Sequence, residues 1–214
     1  ETANAEEKKG LLRDLSDLYS EYDKYYPQSE AAVKKAMLLY TNKLAKDEEV
    51  FTMLEAAFDS KRQYFNDPDA LETYFTLYLQ KYSENKEAIS GDQFVEKFAD
   101  VSGQIRAASN KLSKQRQELL NKQESAALTG EEKIFITMSE SAIETLAAVG
   151  ENTNILASKH LACDKLEAYY DKNYDANKAD AGWLEAMVTI LMDNKCYASG
   201  VLLKGATALH QVHP

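Results

Sequence analysis

The sequence predicts an all-α protein, and three observations support this fold class. Only 3 of its 214 residues are proline and 8 are glycine, whereas Ala, Leu, Glu and Lys, which favour helix, are abundant. Apolar residues recur at spacings of three and four along most of the chain. No segment alternates apolar and polar residues in the way that marks a half-buried strand.

Residues 1–85 form the first predicted segment, which contains four helices. The first helix ends before Pro27, because proline interrupts a helix. The second is marked by apolar residues at helical spacing, Val33, Ala36, Met37, Tyr40 and Leu44. Asp47 is the predicted N-cap of the third helix. Asp67 is the predicted N-cap of the fourth, with Pro68 at its first helical position. The apolar stripe of the first helix is Leu11, Leu15, Leu18, Tyr22 and Tyr25.

Residues 86–160 form the second predicted segment, a long antiparallel helical hairpin. Capping boxes begin at Ser90 and at Thr129, and the apolar residues between them alternate spacings of four and three. This pattern predicts one long helix that packs along another, which returns over residues 131–150 or further. Gly103 is interpreted as a point of close helix contact. The expected returning stripe is Ile134, Met138, Ser141, Leu146 and Val149.

Residues 161–214 form the third predicted segment, a pair of shorter helices after a first one that carries Tyr169 and Tyr170. Asp180 is the predicted N-cap of the helix that contains Trp183, and a last helix begins near Val201. The sequence stops on Pro214 without a polar tail, which we interpret as the interruption of a longer repeat array.

Composition excludes several classes of function. The formal net charge of −10 argues against nucleic-acid binding, because phosphate affinity requires clustered Lys and Arg. The chain has no run of about 18 apolar residues that would predict a transmembrane segment. No nucleophile, phosphate-loop or zinc-peptidase motif occurs, so we expect no enzyme and no cofactor. His210 and His213 lack an evident third ligand, and we expect no metal site.

The tyrosines are the candidate binding residues. Tyrosine offers contact area at a low cost in conformational entropy and is enriched at the centres of protein interfaces. Most of the 13 tyrosines are expected to be core residues, but a minority could line a recognition groove. Our candidates for that groove are Tyr25, Tyr26, Tyr74 and Tyr78.

Residues 180–213 resemble a tetratricopeptide repeat, with Trp183 early in one helix, the small Ala206 inside the next, and Pro214 after it. The wider segment from "LACDKLEAYY" to the end is similar to the large tetratricopeptide-repeat proteins that Bacteroides-like Gram-negative bacteria export. The N-terminal "LYSEYDKYYPQSEAAVKKAMLLY" is similar to them as well. The resemblance implies a helical-hairpin repeat array in the periplasm or at the outer membrane.

The resemblance also places a cysteine in each of two successive helical elements. If these elements are equivalent or flank one hairpin, Cys163 and Cys196 approach each other, and an oxidising compartment would join them as a disulfide. The alternative is two buried free thiols that pack as small apolar groups.

The expected function is a non-enzymatic scaffold that binds a protein or peptide partner on the surface of its stacked helices. The alternative is a structural helical module whose long central hairpin mediates homo-oligomerisation. In that alternative, Ile105 and Leu112 would lie at the interface between copies.

Overall fold

The chain is all-α in a computed structural model that describes residues 4–84 and 88–212. Within these residues the regular structure is helical, with no β-strand. The elements are α1 (Ala5–Tyr25), α2 (Ala31–Thr41), α3 (Asp47–Lys61), α4 (Pro68–Glu84), α5 (Gly91–Gln123), α6 (Gly130–Ala157), α7 (Cys163–Asn177), α8 (Ala181–Asp193) and α9 (Gly200–Val212). The predicted fold class is therefore confirmed, while the assignment of these helices to tetratricopeptide-like repeats stays a prediction.

Several helix starts follow the predicted local chemistry. The Asp67 carboxylate accepts a hydrogen bond from the Ala70 amide at 2.9 Å, directly before Pro68 opens α4. Complete capping boxes begin α5 at Ser90 and α6 at Thr129. Asp180 caps α8, because its carboxylate accepts from the Trp183 amide at 3.0 Å. These caps satisfy amides that a helix itself cannot pair.

The predicted cap of α3 was wrong by one position. Lys46 has the extended backbone of an N-cap residue, and Asp47 is the first helical residue. The Lys46 amide donates instead to the Glu49 carboxylate at 3.3 Å. Asp47 still stabilises α3, because an acidic side chain in the first turn interacts favourably with the positive end of the helix dipole.

The chain forms two compact units, Glu1–Tyr78 and Leu79–Pro214, and the division falls inside α4. In the first unit, α1 contacts α2, and α2 contacts α3. Its core is aromatic: the ring centroids of Phe58 and Phe65 are 5.4 Å apart, and those of Phe58 and Tyr74 are 5.0 Å apart. The division of the chain into three segments at residues 85 and 160 stays a prediction.

In the second unit, the long helix α5 packs against α6, α7 and α8, and α8 packs against α9. Phe94, Phe98, Val101 and Ile105 are buried on one face of α5, as the spacing predicted. Leu112 is only half-buried. The core of the second unit therefore lies at the base of the α5–α6 hairpin.

The returning helix α6 differs from the prediction in the part of its apolar stripe near the turn. Leu146 and Val149 are buried, but Ile134 and Met138 are 60% and 67% exposed. Near the turn, the half-buried apolar residues of α6 are instead Phe135 and Ile136. Two ion pairs also connect α5 and α6 there, Arg116–Glu140 at 3.0 Å and Lys122–Glu132 at 2.6 Å.

Helix α6 continues through Gly150 and the polar residues after it to Ala157, which agrees with the predicted extent of residues 131–150 or further. Thr153 and Ala157 continue the buried face at the helical spacing of four. Packing of this face outweighs the weak helix propensity of Gly150.

Gly103 and Gly205 differ in how closely a neighbouring helix approaches them. Gly103 has nothing within 4 Å of the position that a Cβ would occupy, so it does not mark close helix contact. Ala206 is exposed, whereas Gly205 is buried and faces α8. A Cβ on Gly205 would lie 1.8 Å from the Met187 Cε atom. Gly205 is therefore the small residue that permits α8 and α9 to approach each other.

We expect Gly103→Ala to raise the free energy of unfolding by about 0.5–1 kcal/mol, because glycine inside a helix loses more backbone entropy than alanine. Gly205→Ala is the matched control. There the new methyl would displace Met187, which is fully buried, so no such stabilisation is expected. Urea unfolding followed by circular dichroism measures both. Equal stabilisation by the two substitutions would contradict the packing at Gly205.

Candidate functional site: the exposed face of the first helix

Helix α1 presents a row of large apolar side chains to solvent. Leu11 and Leu18 are 63% and 59% exposed, and Tyr22 and Tyr25 are 49% and 71% exposed. Leu15, between them, is half-buried. Single exposed apolar residues are ordinary, but a contiguous exposed row marks a candidate interaction surface. We call Leu11, Leu15, Leu18, Tyr22 and Tyr25 the α1 row.

The spacing of the α1 row is that of a coiled-coil seam. Its members follow one another at intervals of four, three, four and three, so that every second member recurs after seven residues. Residues seven apart lie within about 20° of each other around a helix, so the row forms a narrow stripe along α1. Such a stripe fits a second helix laid along it.

The opposite face of α1 binds its own unit. Ser16 is buried, and Asp23 accepts hydrogen bonds from the Lys61 ammonium of α3 at 2.5 and 2.7 Å. Ser16 and Asp23 lie roughly 140–160° around the helix from Leu18 at 100° per residue. The α1 row therefore points away from the core that holds α1 in place.

The start of α1 is well defined by its cap. The Asn4 side chain accepts from the amides of Glu6 and Glu7, and the Glu7 carboxylate accepts from the Asn4 amide at 3.0 Å. This capping box satisfies donors that would otherwise lie free at the first turn. The helix is therefore formed before Leu11, the first residue of the α1 row.

The four tyrosines predicted to bind divide into two pairs. Tyr25 is 71% exposed and Tyr26 is 59% exposed, and both lie at the end of α1. The Tyr26 ring is 4.7 Å from the Tyr22 ring, so the aromatic surface continues past the last turn of the helix. This pair is accessible to a partner.

The other pair was assigned wrongly. Tyr74 is fully buried and Tyr78 is 5% exposed, so neither offers a recognition surface. Both rings contact Phe51, at centroid distances of 5.8 and 6.4 Å. Burial raises the pKa of the Tyr74 hydroxyl far above its ordinary value, which keeps that group neutral. These two residues are part of the aromatic core of the first unit.

The exposure of Leu11 and Leu18 was not predicted. Helical spacing alone does not reveal it, because the same spacing describes a core face and an unoccupied seam. The available signal was the row of acids beside them, since Glu7, Asp14 and Glu21 also recur every seven residues.

Cys163 and Cys196 are brought together, as the resemblance implied. Their Sγ atoms are 2.09 Å apart and their Cα atoms 5.5 Å apart. Cys163 is the first residue of α7, and Cys196 lies in the turn between α8 and α9. The pair therefore ties the start of one helix to the connection of the following hairpin.

A cleft lies in the second unit, between α5, α6 and α8. This cleft of about 590 Å³ has apolar walls that include Phe98 and Leu146, and Arg106, Glu151 and Asp193 line it as well. Asn154 donates to the Asp193 carboxylate at 3.2 Å, and Asn194 donates to the Asn154 side-chain oxygen at 3.2 Å. Ile155, which is 60% exposed, also lines the cleft.

The part of the chain that the structure describes contains neither a cluster of metal-ligating side chains nor a helix suited to span a membrane. No group of three or more His, Cys, Asp or Glu side chains converges among residues 4–84 and 88–212. His213 lies outside this range. Within the same residues, no helix combines the length and apolar character that crossing a membrane requires.

Comparison with known proteins gave no relative on which to base a function. Neither a protein-family model, nor a curated protein, nor a solved structure matches this chain.

Proposed function

We propose that this protein is a non-enzymatic interaction scaffold that binds a protein or peptide partner along the α1 row. The observation that carries the proposal is the exposure of a seam of coiled-coil spacing on a helix whose opposite face is anchored. Covering exposed apolar area contributes about 25 cal/mol per Å², from which the entropy cost of association is subtracted, so a partner that buries the row is favoured. The resemblance to exported tetratricopeptide-repeat proteins supports the same class of function.

The proposed location is the periplasm or the outer membrane. Disulfides persist in oxidising compartments and are rare where thioredoxin and glutathione keep thiols reduced. The two cysteines at bonding distance support such a compartment. The partner would then be a protein of the cell envelope.

Site-specific photo-crosslinking in cells of the source organism tests the scaffold. Leu11 and Leu18 are replaced, one at a time, by a benzophenone amino acid, and Leu203, which is 71% exposed on α9, is the matched control. We expect discrete protein adducts from position 18 that are absent from position 203. Absence of adducts at both Leu11 and Leu18, or the same adducts at Leu203, would contradict the proposal.

A second candidate function is homo-oligomerisation through the α5–α6 hairpin. One observation favours it: Ile134 and Met138 are exposed and lie one turn apart on α6. Ile105, which the sequence placed at such an interface, is 4% exposed and belongs to the core instead. Light scattering distinguishes the candidates. A dimer that disappears in the Ile134→Glu, Met138→Glu variant would favour this function.

A further inference from the structure

The α1 row is flanked by acids on the side away from the protein core. Glu7, Asp14 and Glu21 are exposed and lie seven residues apart. Successive residues are rotated by about 100° around the helix axis. By this measure the three acids lie about 20–60° from Leu18 in one direction around the axis, and Leu15 lies about 60° from it in the other direction. We call these three residues the acidic row.

No cation interrupts this part of the helix surface. The basic residues of α1 within residues 4–25 are Lys8, Lys9, Arg13 and Lys24. By the same geometry each lies about 80° or more from Leu18, outside the strip that the two rows cover. The α1 row therefore presents an apolar seam with negative charge along one edge.

A second copy of this chain is a poor occupant of the seam. In an antiparallel pair of identical helices, equivalent flanking positions face each other, so the acidic rows would be opposed. In a parallel pair, each acidic row would face Leu12, Tyr19 and Tyr26, which offer no positive charge. The net charge of −10 adds repulsion between copies.

We infer that the partner of the α1 row is a basic amphipathic helix: apolar residues at heptad spacing pack on the row, and Lys or Arg beside them pair with Glu7, Asp14 and Glu21. This inference rests on the proposed function and specifies its partner class. Helix-on-helix docking buries the seam, and opposite charges at its edge select the partner and its register.

Three synthetic peptides test the inference by fluorescence anisotropy. One carries Leu at the seam positions of several heptads with Lys at the flanking positions, the second has Glu in place of Lys, and the third is a scramble of the first. We expect the Lys peptide to bind the full chain at least ten-fold more tightly than the other two. If the Glu peptide binds as tightly as the Lys peptide, the inference that the partner is basic is wrong. If the scrambled peptide binds as tightly, the attraction is non-specific and the inference that the partner is an amphipathic helix is wrong.

Variants of the protein locate the binding. Leu18→Ser removes an exposed seam residue and is expected to weaken Lys-peptide binding about ten-fold or more. Asp14→Asn with Glu21→Gln removes two exposed charges and is expected to weaken it about three- to five-fold at low salt, with less effect at high salt. Leu203→Ser is the control and should bind as the unmodified chain does. Equal losses in Leu18→Ser and Leu203→Ser would overturn the site.

The outcomes separate this inference from the proposed function. Adducts at position 18 in cells, together with no preference for the Lys peptide, would overturn the partner class and leave the scaffold standing. A dimer of the unmodified chain that Leu18→Ser dissociates would identify a second copy as the occupant and overturn the inference.

Discussion

Reducing the Cys163–Cys196 pair should lower the free energy of unfolding of the second unit by about 3–4 kcal/mol. The two residues are 33 positions apart in sequence, and a crosslink over such a loop removes that much entropy from the unfolded chain in the loop-closure model. The Cα atoms are 5.5 Å apart, within the range that a disulfide requires, so the folded state accepts the bond without backbone movement.

The measurement is urea unfolding, with and without dithiothreitol, followed by the fluorescence of Trp183. This residue is the only tryptophan of the chain and lies inside the crosslinked loop, so its signal reports the second unit. The Tyr170 ring is 5.5 Å from the indole, and unfolding removes this contact.

The control is the Cys163→Ala, Cys196→Ala variant. It should be about as unstable as the reduced chain and insensitive to dithiothreitol. Thiol titration of the unfolded protein, purified from an oxidising compartment, should detect no free thiol. Two free thiols together with an unchanged unfolding midpoint would show that the cysteines are not joined and would remove the main support for the proposed location.

Helix positions were predictable because helix starts depend on local chemistry. The caps at Asp67, Ser90, Thr129 and Asp180 are recognisable within four residues of sequence, and each is formed in the structure. The cap of α3 is Lys46 and not Asp47 as predicted. Three consecutive acids follow Lys46, so a helix that begins one residue earlier or later would have a similar free energy.

Which apolar stripe is buried was less predictable, because burial depends on partners distant in sequence. The stripes of α1 and α5 have the same alternating spacing, yet Leu18 is exposed and Phe98 is buried. The sequence around the tyrosines shows which feature could have distinguished an exposed residue from a buried one. Tyr74 and Tyr78 lie in a helix that is apolar on most sides, near Leu71, Phe75 and Leu77, which is typical of a buried helix.

Tyr25 and Tyr26 lie in a different context. Asp23 and Lys24 precede them, and Pro27 ends the helix. A polar neighbourhood at a helix end favours exposure, because few apolar residues remain nearby to cover the rings. The exposed pair was therefore within reach of sequence reasoning, whereas the outward orientation of Leu11 and Leu18 depended on the packing of α1 against α2 and α3.

Ile105→Ala should lower the free energy of unfolding by about 2–5 kcal/mol, the range for truncation of a large aliphatic side chain in a packed core. Ile105 is 4% exposed at the base of the α5–α6 hairpin, and its Cγ2 atom would lie 3.6 Å from a Cβ on Gly150. Its side chain also lines the cleft between α5, α6 and α8, which the truncation would enlarge. Trp183 fluorescence in urea measures the change, because both residues belong to the second unit.

Ile134→Ala is the matched control on the same hairpin. Ile134 is 60% exposed, so its truncation should change the free energy of unfolding by no more than about 0.5 kcal/mol. The comparison also tests the second candidate function. If copies of the chain associate through Ile134, unfolding of the unmodified chain will depend on protein concentration, and Ile134→Ala will remove that dependence. If Ile134→Ala is as costly as Ile105→Ala at every concentration, the distal hairpin is packed within one chain and the assignment of its outer face is wrong.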